Sequence, residues 1–455
     1  MKLWMDVMRD MEHLMDDYER IFDGWQEGGV DGLVIGPPVF NAAKLRTDIQ
    51  YVKGEKEPVE IFDPNPAVYK RFGVETPAPP KDKEPQKRAV LRKMLQTAKD
   101  RGLSIFFFNG HAGGGPGRGG HPFFDEHGHA ATCARIVDRL EQFPMVDGNL
   151  FDGPEWGYEI APHHQNHRSS IFKDLPETVR DGAQSLGYDF EALVVAKDRL
   201  YALLHNLDVR RISLHGGGGF TGTLHLFGSD PDLIAWMRFR VESITHYLRS
   251  IRQGVDFNTT RPIKLVASFR SAAFAPLCGC DFAQLSDCLD VILPKHYFWQ
   301  RGFDGLLGTV YRYVETLCEW NSGLSDRDAL DVVKSLFGFD LPGVNDRGDL
   351  EYALTPEFYQ RIVGQETRRP LAVVDDPDRI VPWVDTGRMP HAGDPMSAAD
   401  LRNLILAAQD QGLTHFLYHH HGNLTPAEWV VMSEICGNRW ESGKSPYTPP
   451  DEVVL

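Results

Sequence analysis

Two carboxylates three residues apart, Asp152 and Glu155, close a short apolar run at 146–151, with Gly153 and Pro154 between them and Trp156 immediately after. Gly and Pro stop a strand, so both acids are expected where strand gives way to loop. A strand end with two acids and an indole suits chemistry on a sugar ring. One carboxyl protonates the leaving oxygen, another serves as nucleophile or base, and the aromatic face packs on the C–H side of the ring. A lone strand-end Asp caps helices just as readily, and a lone Glu is often a solvated rim charge. The pair with Trp156 points beyond both.

Such residues need elements that bring several strand ends together. Short apolar runs are predicted as strands at 2–7, 30–36, 103–108, 146–151, 263–270, 291–297, 371–376 and 414–418. Between most of them lie segments with helical apolar spacing, such as 10–27 with Met11, Leu14, Met15, Tyr18, Ile21, Phe22 and Trp25. Nearly all-apolar strands alternating with helices imply a parallel sheet buried on both faces. Eight repeats imply an α/β fold, a (β/α)8 TIM barrel with long βα-loop insertions. One barrel over 1–440 is expected, with insertions at about 41–84, 160–255 and 322–355, and a polar tail at 441–455. An open doubly wound sheet would offer a phosphate loop near its first strand, and none is present. The glycine run at 113–120 lacks a following Gly-Lys-Ser/Thr.

A barrel places its active site at the C-terminal strand ends. Those ends offer Asn109 and His111; Asp152, Glu155 and Trp156; Arg270; Lys295, His296 and Tyr297; Asp375 and Asp376; and Tyr418, His419 and His420. Glycoside hydrolysis needs two carboxyls across the scissile bond, and opposite strand tips suit a separation of about 5–9 Å. Apart from the fourth, the only predicted tip bearing acids is the seventh. Glu155 is therefore expected to donate the proton, with Asp376 or Asp152 as nucleophile or base. Trp156 excludes water beside Glu155. The remaining tip residues are expected to bind substrate. The glycine-rich loop at 113–120, flanked by His111 and His121, is expected to close over a bound sugar.

The run LEQFPMVDGNLFDGPEWGYE resembles the strand-four signature of a glycoside-hydrolase-like TIM-barrel family, a helix followed by yPvDGi.fDgpe. LGYDFEALVVAKDRL resembles the helix that follows there. APLCGCDFAQLSDCLDVILPKHYFW resembles the family's strand-six segment, and LTHFLYHHHGNLTPAEW its final strand and helix. The resemblance covers most of the chain from about residue 130 and implies glycosidase chemistry. The chain departs from the pattern in two places. A cysteine-bearing segment before the GYDFE helix is missing, and Lys295-His296 replaces the usual Met-x-Tyr.

Two alternatives come from other classes. Eighteen histidines are many for 455 residues. His111, His121, His129, His163, His164, His296, His419 and His420, with Asp152, Glu155 and Asp376, form a donor pool for a divalent-metal-dependent hydrolase or sugar isomerase. No HxH or HExxH sits at a strand tip in the right place, so no metal and no cofactor is expected. A non-catalytic carbohydrate-binding barrel would use Trp156 and Tyr297 and leave the acids dispensable.

The net charge of −16 disfavours phosphate-rich partners, so a carbohydrate is expected rather than nucleic acid or an anionic membrane. The six cysteines are scattered among apolar neighbours and read as buried free thiols. Charge interrupts the N-terminal run before it can serve as a signal peptide, and no stretch is long and apolar enough to span a bilayer. A cytoplasmic location is expected.

Overall fold

Eight parallel strands close on themselves in a computed structural model that describes residues 1–8, 11–41, 44–45, 51–52, 58–111, 121–162, 170–302, 304–388, 391 and 393–450. They are β1 (Lys2–Met8), β2 (Val30–Gly36), β3 (Ser104–His111), β4 (Gly148–Asp152), β5 (Lys264–Phe269), β6 (Val291–His296), β7 (Trp383–Val384) and β8 (His415–Tyr418). Each strand pairs in parallel with the next, and β8 returns to β1 through Leu3↔Phe416 and Met5↔Tyr418. The α/β barrel read from the sequence is the observed architecture.

The outer ring comprises α1 (Met11–Glu27), α2 (Pro85–Asp100), α3 (Glu126–Gln142), α4 (Pro231–Asn258), the short α5 (Phe282–Leu285), α6 (Pro356–Phe358, a π turn at Tyr359–Val363, and Gly364–Leu371), α7 (Ala398–Gln409) and α8 (Pro426–Cys436). The seven apolar residues picked out on α1 are all buried, as their spacing requires. Capping boxes start α7 (Ser397 with Asp400) and α8 (Thr425 with Glu428). Inside the barrel, β2 passes so close to β1 that a Cβ on Gly32 would stand 2.3 Å from the Trp4 ring. Trp4 in turn stacks on Phe106 of β3, with centroids 4.9 Å apart.

The seventh strand is not where the apolar run at 371–376 predicts it. That run is the end of α6 and the turn after it. Its residues are half-buried or exposed, whereas barrel strands are covered on both faces. The strand is Trp383–Val384, inside the continuously buried stretch 380–386. A short apolar run does not reveal by periodicity whether it ends a helix or forms a strand.

The long β4–β5 connection contains the barrel's own α4, packed against α3. It also holds helices at Phe190–Leu204, Val209–His215 and Gly219–Leu226. Between β6 and α6 the helices Leu306–Trp320 and Asp326–Phe337 pack on each other. The glycine-rich loop at 112–120 and His163 and His164 lie outside the described residues. All six cysteines are free thiols. Among the described residues, no helix is long and apolar enough to cross a membrane.

Candidate active site

Asp152 ends β4 and is the register partner of Ser268 on β5. Ser268 Oγ donates to Asp152 Oδ1 at 2.7 Å, and Lys295 Nζ of β6 lies 3.2 Å from the same oxygen. Lys295 also reaches Asp304 Oδ2 at 3.4 Å. Asp304 pairs on its other side with Arg270. Arg270 in turn gives Nε–H to Glu155 Oε1 at 2.9 Å and its backbone N–H to Oε2 at 3.3 Å. Asp152, Lys295, Asp304, Arg270 and Glu155 thus form one chain of alternating charge across the mouth of the barrel. Asp304 holds a left-handed backbone, φ +67°, unusual for a residue with a side chain. Its two cationic partners fix it there. The Asp152 side chain is 14% exposed, while the other four are nearly sealed, Glu155 at 4%.

A second cluster lies on the strands that close the barrel. His419, just past β8, has Nδ1 2.5 Å from Asp6 Oδ2 of β1. Its Nε2 lies 3.9 Å from Oδ2 of Asp385, which follows β7. His391 Nδ1 is 2.8 Å from that same oxygen, and Gly387 N–H donates to Asp385 Oδ1 at 2.8 Å. Asp385, His391 and His419 are buried, and their donor atoms all lie within 4.8 Å of one another. Among the described residues, these three form the set that could hold a metal ion.

Burial pushes the Asp6 carboxyl up to about 8; the charge of His420 opposes this, while those of Asp152 and Asp385 add to it. Burial also drives the His419 imidazole down to about 3, so it is neutral. Burial would raise Asp385 too, but His391, His419 and the Gly387 N–H outweigh it and hold the carboxyl below its ordinary value. Tyr297 stands between the two clusters. Burial is the largest influence raising its phenol, followed by the charges of Asp385 and Asp152.

Several residues expected at this mouth are elsewhere. Side chains alternate along a strand, so Lys295 and Tyr297 join the site while His296 faces the helices. There its Nε2 meets Thr367 Oγ1 of α6 at 2.9 Å, and burial lowers it to about 3. Tyr418 likewise turns outward and donates to Glu428 of α8 at 3.1 Å. Asn109 hydrogen-bonds Asn149 and Arg139 of α3. His420 Nδ1 accepts from the Gly422 N–H at 3.2 Å, and its charge bears on Asp6. His111 ends β3, and its side chain lies outside the described part. Trp156 donates to Ser243 of α4, and His121 is stacked on its ring with centroids 4.8 Å apart, so that face is not free for a sugar. It lines a cavity of about 290 Å³ with Glu155, His121, Lys197 and Arg240.

The largest correction concerns Asp375 and Asp376. Both are exposed in the turn before β7. Asp376 caps a turn whose Arg379 donates to the Ser286, Leu289 and Asp290 carbonyls, the residues leading into β6. They therefore sit at the end where strands begin, opposite Asp152. Asp385 takes the seventh-strand place that Asp376 was expected to fill.

Asp6, Asp304, Asp385 and His391 were missed in the sequence. An acid inside the apolar run at 2–7 was a legible signal for Asp6. The apolar run at 380–384 ending in an acid was one for Asp385. Asp304 and His391 lie in loops and had no signal of spacing.

No protein-family model matches the chain, and no curated protein matches it. Among solved structures it is similar to the glycoside hydrolase domain of PgaB (BpsB) from Bordetella bronchiseptica, with a TM-score of 0.46 and 12% identity over 95% of this chain and 98% of that one. It is similar to a chitinase from Chromobacterium violaceum, with a TM-score of 0.38 and 8% identity over 97% and 99%. It is also similar to a hyperthermophilic beta-glucosidase, with a TM-score of 0.37 and 11% identity over 90% and 79%. These structural neighbours of the barrel are glycoside hydrolases.

Proposed function

We propose that the protein is a glycoside hydrolase whose reacting carboxylate, as nucleophile or base, is Asp152 at the end of the fourth strand. One observation carries this reading. Asp152 is fixed from two sides by Ser268 and Lys295, yet it is the member of the charged chain that remains open to the barrel mouth. A carboxylate held by two donors is an acceptor already in place, which suits a nucleophile or base. The Tyr297 ring links the two clusters, with Lys295 Nζ 5.8 Å from its centroid and the His391 ring 4.9 Å away.

Glu155 fits another role. Both its oxygens accept from Arg270, so it serves as the counter-ion that positions Arg270, not as the proton donor. The sequence resemblance to glycoside-hydrolase-like barrels supports the same reaction class, and its fDgpe signature puts an acid at the position of Asp152.

The test is a panel of aryl glycosides with good leaving groups. Wild-type protein should release the aryl alcohol from at least one sugar. Asp152→Asn should lose about 10³-fold or more, and azide should restore part of the rate to Asp152→Gly by taking the carboxylate's place. Undiminished hydrolysis by Asp152→Asn would overturn the assignment.

A further inference from the structure

We propose that Asp385, His391 and His419 bind a divalent first-row transition ion of the zinc class through Asp385 Oδ2, His391 Nδ1 and His419 Nε2. Three donors from β7, the loop after it and the end of β8 converge on one point. The spacings from Asp385 Oδ2 are 2.8 Å to His391 Nδ1 and 3.9 Å to His419 Nε2. With bonds of about 2.0–2.2 Å, ligands of one ion stand roughly 3–4 Å apart, so the set needs only small adjustment.

The second observation lies behind the ligands. A metal-bound imidazole typically gives its other ring nitrogen to a carboxylate, which fixes the tautomer and the ring plane. His419 has this arrangement: Nδ1 is 2.5 Å from the buried Asp6 Oδ2, leaving Nε2 directed at Asp385. Asp6 is fully buried on β1, and its Oδ1 has no hydrogen-bond partner among the described residues. The Trp383 ring packs edge-on against His419 at 5.2 Å, and the rings of Tyr297 and Trp299 each lie 4.9 Å from His391. The ligands are thus braced by aromatic packing.

Two imidazoles and one carboxylate select against magnesium and calcium, which take oxygen donors, and favour zinc and its neighbours. Three protein ligands leave coordination positions open, the pattern of a catalytic ion rather than a structural one. On the glycosidase reading, those positions would take water or a pair of sugar hydroxyls across the mouth from Asp152. That use rests on the proposed function; the site itself does not.

The test reads metal, not turnover. Purified full-length protein, stripped with a chelator and equilibrated with zinc, should retain it stoichiometrically by mass spectrometry. His391→Ala and His419→Ala should lose it, and Asp6→Asn should weaken affinity by about 10- to 100-fold. Asp152→Asn should keep it. Should the histidine variants fail to fold, X-ray absorption on zinc-loaded wild type should show imidazole nitrogens at about 2.0–2.1 Å. No retained zinc, retention unchanged in folded histidine variants, or an oxygen-only shell would each overturn the proposal. A metal-loaded protein inactive on every glycoside would leave the ion standing and remove the glycosidase reading.

Discussion

Ser268 and Asp152 are register partners on adjacent strands, and the Ser268 hydroxyl donates to Asp152 Oδ1 at 2.7 Å. The backbone ladder itself therefore aims the hydroxyl at the carboxylate. A hydrogen bond to a charged group is worth about 1.5–3 kcal/mol. Ser268→Ala should lower kcat/KM by roughly tenfold to a hundredfold. Its unfolding midpoint should fall only modestly, because Lys295 still holds Asp152. Steady-state kinetics beside urea denaturation checks both halves, and unchanged kinetics would detach Ser268 from the site.

Glu155→Gln should behave differently from the loss of a proton donor. It takes away one partner of a buried ion pair while Arg270 keeps Asp304. Breaking a buried pair costs about 3–5 kcal/mol, and the remaining partner should bring this down to roughly 1–3 kcal/mol. The loss should appear in denaturation. Any loss of activity should be of similar size on good and poor leaving groups. A deficit confined to poor leaving groups would return the proton-donor role to Glu155.

Glu366 gives the fold a pH dependence of its own. Its carboxylate is buried on α6, accepts from the Ala273 N–H at 3.1 Å and lies 3.4 Å from Arg369. Burial pushes it up from 4.5 to about 7, with Arg369 opposing. The folded state therefore holds this proton more tightly than the unfolded one. Its stabilising contribution is complete below about 4.5 and is lost as pH rises through about 7, on the order of 3 kcal/mol in all. Glu366→Gln should remove that slope. Urea titrations of both proteins at about pH 5 and pH 8 should show the variant gaining relative to wild type at the higher pH, and parallel curves would contradict it.

Gly32→Ala tests the barrel floor. The added methyl meets the Trp4 ring, which must shift against Phe106. Overpacking of this kind costs about 1–3 kcal/mol. Thermal unfolding should show the loss, while turnover of the surviving folded protein stays near wild type.

Much of this arrangement was legible in the sequence. The apolar runs at 30–36, 146–151 and 291–297 read as strands buried on both faces, and closure into a barrel followed from their number. Asp152, Arg270, Lys295 and Tyr297 were legible because strand ends are marked by the loss of apolar character. Which way each residue turns was harder to read. His296 and Tyr418 lie on tips but point at helices, since strand alternation is fixed only once the register is known. Asp376 was misplaced because a helix end and a buried strand look alike over five residues. His391 and Asp304 reach the site through loop geometry, which leaves no periodic trace.

The alternating chain from Asp152 to Glu155 constrains how this sequence can drift. Replacing Arg270 takes an ion-pair partner from both Glu155 and Asp304, and replacing Lys295 takes one from both Asp152 and Asp304, whereas replacing several members together can be nearly neutral. The residues come from the ends of β4, β5 and β6 and from the loops after β4 and β6. Single substitutions among them should therefore cost stability, and changes made together should cost less than their sum. The charged chain would thus be kept for the fold's sake even in a descendant with no catalytic use for it.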